Sequence, residues 1–265
     1  MSAIHRYAHS GHAIRAALLT SLLIAAGIAI AAPATSRAKA ARVSPVAVAS
    51  NPTPKPVPAG RVVSFQTDDG VTLSGVQYGP ADGTRVVIFS HQYNRDQSSW
   101  LPLAVRLGDA GYTVLTYNFR GYAPSTGKVD VAMLGQDLKA AVGYARAHGA
   151  TQLVLVGASM GGLVTVPVAL EVQPVAYVVI GAPGAFGGIA ATDQALQAST
   201  AAKLFINSKY DSYLADTRRM HDAVADRSEI DIYPTGLHGA DLLEGPDGEA
   251  VQQRIAGFIA AHLPL

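Results

Sequence analysis

The chain has 265 residues, no cysteine and a formal net charge of +1 at pH 7. The charge is uneven, because residues 1–60 hold 6 of the 20 basic side chains, and residues 61–265 hold the other 14 with all 19 acidic ones. An acidic domain repels phosphate backbones, which argues against a nucleic-acid partner. The lack of cysteine excludes disulfides, a thiol nucleophile and a lipidated cysteine anchor.

The first 31 residues have the pattern of a secretory signal peptide. Arg6 and Arg15 precede an uncharged, mostly apolar stretch that ends in small residues. The A-x-A triplets 29–31 and 32–34 are both cleavage sites of the expected type, and we favour the first. Cleavage there makes the product secreted or periplasmic and leaves no stable membrane insertion. An uncleaved N-terminal membrane anchor is the alternative, since an apolar run of about 17 residues is close to the shortest that spans a bilayer.

Residues 32–60 are predicted to be a linker, because proline at this density favours extended, unpaired backbone. Five prolines fall between Pro45 and Gly60, among small residues. The remaining residues, 61–265, are predicted to form one domain, which is long enough to bury a substantial apolar core.

Eight segments of this domain have the composition of β-strands. The first two are joined by Asp68-Asp69-Gly70, a hairpin signal that makes them antiparallel. The others are separated by helical stretches, which predicts an α/β fold with a mostly parallel eight-stranded sheet and helices on both faces. The predicted strands are 62–67, 71–79, 85–90, 113–119, 152–157, 175–181, 203–207 and 229–233. The predicted helices are 98–111, 130–148, 160–172, 213–226 and 247–263, and Pro167 is expected to shorten or kink the third.

A G-x-S-x-G motif, Gly157 to Gly161, lies between a predicted strand and a predicted helix. A serine on so sharp a turn has a strained backbone, flanking glycines remove the clashes, and the helix N-terminus favours negative charge. This context predicts that Ser159 is a nucleophile rather than an incidental serine in a glycine-rich turn.

A nucleophilic serine needs a base, and two later strand-end loops supply candidates. His238 follows strand 229–233 and is the predicted base, while Asp211 follows strand 203–207 and is the predicted orienting acid. Both lie at the carboxyl ends of parallel strands, where such sheets place their sites. Asp211 is also a candidate helix cap, and Asp216 is the alternative acid.

Acyl transfer also requires backbone donors for a developing oxyanion. The first is expected to be the N–H of Met160, directly after the nucleophile. The second is expected to be the N–H of Tyr93, in the loop after strand 85–90. His91 is assigned to the same loop.

These features resemble the α/β-hydrolase superfamily over residues 61–265. The resemblance rests on the serine motif, the His-x-Tyr loop at 91–93, the Arg-Gly-Tyr-Ala-Pro-Ser stretch at 120–125 and the Gly-Leu-His-Gly stretch at 236–239. It implies a catalytic triad of Ser159, Asp211 and His238. The chain departs from the family pattern at Gln92, where glycine is usual, and in the turn before Asp211, which lacks glycine.

Carboxylic ester hydrolysis is the predicted reaction. A serine at this position argues against the dehalogenases and epoxide hydrolases of the superfamily, which use a carboxylate there, and the absence of cysteine argues against thiol-type dienelactone hydrolases. Peptidase, amidase or thioesterase activity uses the same groups and stays open, as does a non-catalytic secreted binding protein.

No metal-ligand cluster or phosphate-binding loop is apparent in the sequence, so no cofactor or metal is implied. The expected partner is a small ester; the oligomeric state is left open.

Residues 182–202, between two predicted strands, are too few for a helical cap domain and allow at most a short helix near 193–199. We therefore expect a short lid over an open, shallow pocket that favours short acyl chains. The predicted wall residues are aromatic: Tyr93, Tyr122, Phe186, Tyr210 and, as a further candidate, Tyr213. The alternative is that these aromatic residues belong to the core.

Overall fold

The structure is a computed structural model that describes residues 60–265. The predicted signal peptide and all but the last residue of the predicted linker lie outside the described residues. Within the described range, no helix is both long and apolar enough to cross a membrane.

The strands alternate with helices along most of the domain. The strands are β1 (Arg61–Gln66), β2 (Thr72–Tyr78), β3 (Arg85–Ser90), β4 (Thr113–Tyr117), β5 (Gln152–Ala158), β6 (Ala176–Ile180), β7 (Ala185–Phe186), β8 (Ile189–Ala190), β9 (Ala202–Ser208) and β10 (Ser228–Tyr233). The α-helices are α1 (Leu101–Asp109), α2 (Leu134–Ala147), α3 (Met160–Val172), α4 (Asp193–Ala198), α5 (Leu214–Asp222) and α6 (Gly248–His262). Short 3₁₀ turns lead into α1 and α2 and follow α5.

Eight strands form one sheet in the order β1-β2-β4-β3-β5-β6-β9-β10. Strand β2 is antiparallel to both of its neighbours, β1 and β4, and every other pairing in the sheet is parallel. The predicted fold class is confirmed: this is an α/β-hydrolase fold. The parallel strands all end at one edge, so the loops after β3, β5, β9 and β10 meet there.

Apolar side chains fill both faces of the sheet, as short, continuously apolar strands require. On one face, α2 and α3 contribute residues such as Leu138 and Leu163 to a buried cluster. On the other face, α1 and α6 contribute residues such as Leu103 and Ile255. Burial on both sides makes the sheet a rigid support for the loops at its edge.

Some predicted bounds were wrong: the helix predicted over 213–226, for example, is α5 and ends at Asp222. Strand β4 ends at Tyr117 rather than at 119, because the N–H of Phe119 donates to the ring of His91 instead of to a neighbouring strand. Helix α3 is not shortened at Pro167 and keeps its full predicted length. It is buried on nearly all sides, and tertiary packing of this kind overrides a local helix breaker.

The segment between β6 and β9 is short. It contains the two-residue strands β7 and β8, which pair as an antiparallel hairpin, and the single short helix α4. Thr192 caps α4 by accepting a hydrogen bond from the N–H of Ala195 at 3.1 Å. The short helix was predicted and the hairpin was not.

Candidate active site

Ser159 makes the turn between β5 and α3 alone. Strand β5 ends at Ala158 and helix α3 begins at Met160. The backbone of Ser159 has φ +49° and ψ −114°, a conformation that non-glycine residues rarely adopt. Such strain persists only where the surroundings impose it, and it projects the side chain out of the sheet edge.

The two glycines of the motif allow this turn to lie against neighbouring backbone. A Cβ on Gly157 would stand 2.3 Å from the carbonyl oxygen of Gly161. A Cβ on Gly161 would stand 2.3 Å from the carbonyl oxygen of Ser90, at the end of β3. Real Cβ atoms do not approach backbone oxygens this closely, so both positions require glycine.

Ser159, His238 and Asp211 form a continuous hydrogen-bonded chain. Ser159 Oγ lies 2.7 Å from His238 Nε2, and His238 Nδ1 lies 2.6 Å from Asp211 Oδ2. The three residues come from the ends of β5, β10 and β9, far apart in sequence. The histidine side chain is 34% exposed and the aspartate side chain 2%, so a substrate can reach the ring while the carboxylate is shielded behind it.

The carboxylate of Asp211 uses its two oxygens differently. Oδ2 accepts from His238, and Oδ1 accepts from the N–H of Tyr213 at 2.7 Å, just before α5. Burial alone would raise the pKa of this carboxyl group, but the hydrogen bonds from His238 and Tyr213 outweigh it and lower the pKa. One oxygen thus faces the predicted base and the other closes the turn before α5. The helix itself begins after Tyr213 and has no side-chain cap, so the expectation that Asp211 caps it was wrong. Asp216, the alternative acid, lies on α5 beside Gly184.

His91 is the first residue of the loop after β3 and is fully buried. Its Nε2 accepts from the N–H of Phe119 at 3.1 Å, so the proton must be on Nδ1, which donates to the carbonyl of Gln92 at 2.8 Å. Burial lowers the pKa of His91 to about 4. His91 is thus a neutral structural residue of the predicted oxyanion loop.

Ser159 and His238 open into a cavity of about 250 Å³. Its wall consists of Gln92, Tyr93, Asn94, Ser159, Met160, Pro183, Phe186, Tyr213 and His238. Both predicted oxyanion donors, Met160 and Tyr93, are in this wall. The N–H of Met160 belongs to the first turn of α3, where N–H groups have no partner within the helix.

Two aromatic contacts shape the mouth of the cavity. The rings of Tyr93 and Phe186 meet edge to face, with centroids 6.3 Å apart, and both side chains are about half exposed. The ring of Tyr213 lies 5.5 Å from the ring of His238. Phe186 comes from the unpredicted hairpin, which therefore forms part of the wall.

Tyr122 and Tyr210, predicted to contact substrate, lie outside this wall. Tyr122 packs edge-on against His91 and its hydroxyl donates to the carbonyl of Tyr93, so it supports the loop from the side. Tyr210 is 71% exposed and lies beside the ammonium of Lys209. The N–H groups of Lys209 and Tyr210 donate to backbone carbonyls on and after β10, and Tyr210 is not part of the cavity wall.

Three wall residues were not predicted to line the cavity: Gln92, Asn94 and Pro183. Gln92 and Asn94 belong to the predicted oxyanion loop, so their positions in sequence could have indicated them. Pro183 follows the end of β6, at the same sheet edge as the nucleophile. Pro183 lies near the site because of the order of the strands in the sheet, and this order cannot be predicted from local sequence.

Solved structures with the same fold cover most of the chain. The esterase Pf2001 of Pyrococcus furiosus superimposes with a TM-score of 0.68 at 20% identity, over 83% of this chain and 100% of that one. A Xanthomonas campestris protein described as an α/β serine hydrolase without lid superimposes with a TM-score of 0.62 at 18% identity, over 78% of this chain and 97% of that one. At these identities the likeness establishes the fold.

Sequence comparisons identify relatives and the family. Uncharacterized proteins from two strains of Mycobacterium tuberculosis are 30% identical over 127 residues, which is 46% of this chain and 45% of theirs. The chain thus spans less than half the length of these relatives. The sequence model described as "Serine aminopeptidase, S33" matches residues 81–238, more than half of the chain, and this range includes the serine motif, Asp211 and His238. The chain therefore belongs to the serine aminopeptidase S33 family, within the α/β-hydrolase superfamily.

Proposed function

We propose that this protein is a secreted serine hydrolase that cleaves carboxylic esters through an acyl-enzyme on Ser159. The observation that carries the proposal is the hydrogen-bonded chain from Ser159 Oγ through His238 to the Asp211 carboxylate, open to a cavity. A serine hydroxyl becomes an effective nucleophile when a base removes its proton as it attacks. His238 Nε2, 2.7 Å away, is within the distance that general-base catalysis requires.

In the acylation step, Ser159 Oγ attacks the ester carbonyl carbon while its proton passes to His238 Nε2. The resulting oxyanion is stabilised by the backbone N–H groups of Met160 and Tyr93. When the intermediate collapses, the ester C–O bond breaks and His238 gives its proton to the departing alkoxide. The ionised carboxylate of Asp211 holds the ring in the required tautomer and stabilises its positive charge.

In the deacylation step, a water molecule replaces the alcohol. His238 takes a proton from this water as its oxygen attacks the acyl carbon, and the second tetrahedral intermediate uses the same two N–H groups. Collapse breaks the bond to Ser159 Oγ, which regains the proton from His238. The carboxylic acid leaves and the starting state is restored.

The chemistry of the cavity wall supports an uncharged substrate. Tyr93, Met160, Pro183, Phe186 and Tyr213 supply apolar and aromatic surface. Gln92 and Asn94, which complete this part of the wall, are also uncharged. A neutral acyl group can displace water from such a wall without leaving an unpaired charge, which favours simple esters.

The short segment between β6 and β9 supports small substrates and an open site. We propose that soluble esters with about two to six acyl carbons are the best substrates, since a shallow pocket gains little from methylenes beyond its depth. No lipid interface is needed to expose the site. In a nitrophenyl ester series, we expect a rate maximum at short chains and no jump above the solubility limit.

The class of activity is tested by labelling with a fluorophosphonate, which modifies activated serines. Mass spectrometry should find the label on Ser159, and Ser159→Ala should remove both labelling and ester hydrolysis while the protein remains folded. A folded wild-type protein that is neither labelled nor active would instead support the non-catalytic binding protein.

A peptidase is the second candidate, and the description of the matched family favours it. The same triad would cleave an amide with His238 protonating the departing amine. Aminoacyl nitroanilides assayed beside the nitrophenyl esters separate the two. A higher kcat/KM on the anilides would replace the ester assignment and leave Ser159 as the nucleophile.

The proposal of secretion rests on the N-terminal charge and hydropathy pattern. Intact mass of the exported protein is expected to show a start near Ala32. Full-length protein that remains with the membrane fraction would support the anchor instead.

A further inference from the structure

Gln92 connects the loop after β3 to the loop that carries His238. Its side chain is buried, and its Oε1 accepts a hydrogen bond from the N–H of Ala240 at 2.7 Å. Ala240 is two residues after His238. The backbone carbonyl of Gln92 accepts from His91 Nδ1 at 2.8 Å and from the N–H of Arg95 at 3.3 Å, so the residue is fixed at both ends.

The space around the Gln92 amide is matched to it. Only the oxygen of a side-chain amide can accept from a backbone N–H, so the bond to Ala240 fixes the orientation of the group. Gly239 lies against it, and a Cβ there would stand 2.3 Å from Gln92 Oε1. The backbone of Gly239 has φ +57°, which also favours glycine. The turn after His238 is thus built to receive this side chain.

The other side of His238 is held by a second loop. The hydroxyl of Ser208, which follows Asn207 at the end of β9, donates to the carbonyl of Leu237. Leu237 directly precedes His238, and Asp211 follows Ser208 by three residues. His238 therefore lies between two anchored neighbours. Leu237 is bonded to Ser208, close to the loop of the acid, and Ala240 is bonded to Gln92, in the loop of the predicted oxyanion donor Tyr93.

We propose that Gln92 is a positioning residue that fixes His238 relative to Ser159 through the N–H of Ala240. The inference rests on the proposed function, in which His238 transfers the proton of Ser159. A displacement of about 1 Å in such a pair can lower the rate roughly 100-fold. The glycine that the superfamily usually has at this position has no side chain with which to make this bond.

The test compares Gln92→Met with a matched control. Methionine keeps the length and much of the volume of glutamine but provides no comparable acceptor for the N–H of Ala240. Asp241→Ala is the control, because Asp241 is the next residue and its exposed ion pair with Arg95, at 2.7 Å, links the same two loops. Exposed ion pairs contribute little, so this variant is expected to behave as wild type.

For Gln92→Met we expect kcat on a short nitrophenyl ester to fall roughly 10- to 100-fold, with KM within about threefold of wild type. The low-field NMR resonance of the proton between His238 and Asp211 should shift or broaden in Gln92→Met and stay unchanged in Asp241→Ala. Neither change follows from a loss of stability alone, and thermal unfolding measures stability separately.

A wild-type kcat in folded Gln92→Met would overturn the inference, and so would an equal loss in Asp241→Ala. If the methionine variant does not fold, kcat is measured on Gln92→Gly instead, and a wild-type kcat there would overturn the inference. Glycine removes the side chain and is the usual family residue at this position. Fluorophosphonate labelling separates the two proposals. An unlabelled wild-type protein contradicts the proposed function, whereas equal labelling rates in wild type and folded Gln92→Met contradict only the role of Gln92.

Discussion

Gly161 touches Ser90: a Cβ on the glycine would stand 2.3 Å from the serine carbonyl oxygen. Ser90 ends β3 and begins the loop of Tyr93, while Gly161 lies in the first turn of α3, directly after Met160. This contact sets the distance between the two backbone segments that carry the proposed oxyanion donors. Any atom added between them must push those segments apart.

Gly161→Ala is therefore expected to lower both stability and activity. Overpacking of this kind destabilises by about 1–3 kcal/mol. Gly257→Ala is the matched control, because its site on α6 has nothing within 4 Å of the added Cβ, and alanine there should stabilise by up to about 1 kcal/mol. Urea unfolding and ester hydrolysis measure the two effects. Equal stability in both variants would contradict the contact.

Asp211→Asn should separate the two roles of this side chain. An asparagine oxygen can still accept from the N–H of Tyr213, whereas its amide cannot hold His238 in the required tautomer. We expect kcat to fall roughly 10³–10⁴-fold. The free energy of unfolding should change less than in Asp211→Ala, which also loses the acceptor for the N–H of Tyr213 and should be destabilised further by about 1 kcal/mol. A fully active Asp211→Asn would rule out Asp211 as the orienting acid.

Phe186→Ala should weaken substrate binding more than chemistry. The ring is about half exposed at the mouth of the cavity, so its loss should scarcely affect stability. We expect KM for a butyrate ester to rise several-fold with kcat little changed, because the ring contacts bound substrate equally before and during reaction. Tyr210→Ala is the control: it removes an exposed aromatic ring outside the cavity, and its kinetics should match wild type. A larger effect at Tyr210 would place the substrate elsewhere.

Lys203 makes stability depend on alkaline pH. Its side chain is fully buried on β9, where Nζ donates to the carbonyls of Ser199 and Ala201 at 2.8 and 2.7 Å. Burial lowers the pKa of Lys203 to about 8, from an ordinary value of 10.5. Because the unfolded chain holds this proton more tightly, the contribution of Lys203 to stability rises between pH 8 and 10.5.

The comparison of wild type with Lys203→Met isolates this contribution. Between pH 7 and 9.5, wild type should gain on the order of 1–2 kcal/mol of unfolding free energy relative to Lys203→Met. Lys209→Met removes the same charge from an exposed position and should run parallel to wild type. Parallel curves for wild type and Lys203→Met would mean that the buried amine keeps its ordinary proton affinity.

Much of the fold and the grouping of Ser159, His238 and Asp211 could be predicted because their signals are local. Ser159 has glycines on both sides of it, between a strand pattern and a helix pattern. His238 and Asp211 each follow a short strand, and parallel strands bring their loops to one edge. The family match and the fold support this interpretation of the sequence.

The pocket could be predicted only in part, because it depends on contacts between distant segments. The bond between Gln92 and Ala240 joins residues 148 positions apart, and no local pattern encodes it. The position of Tyr210 depends on backbone bonds from its loop to that of Thr235. The packing of Tyr122 on His91, from another loop, could not be predicted from local sequence for a similar reason.

His91 and His238 differ in whether the groups beside their ring nitrogens can face a second N–H. His91 receives a backbone hydrogen on Nε2, so a second proton there would meet the N–H of Phe119 head-on. His238 has an ionised carboxylate on one nitrogen and a hydroxyl oxygen on the other, and both can face an N–H group. His238 can therefore take up a second proton, and the positive charge with it, without disturbing the ring of His91. In the proposed mechanism, the proton that moves from Ser159 to His238 would therefore leave the loop of Tyr93 in place.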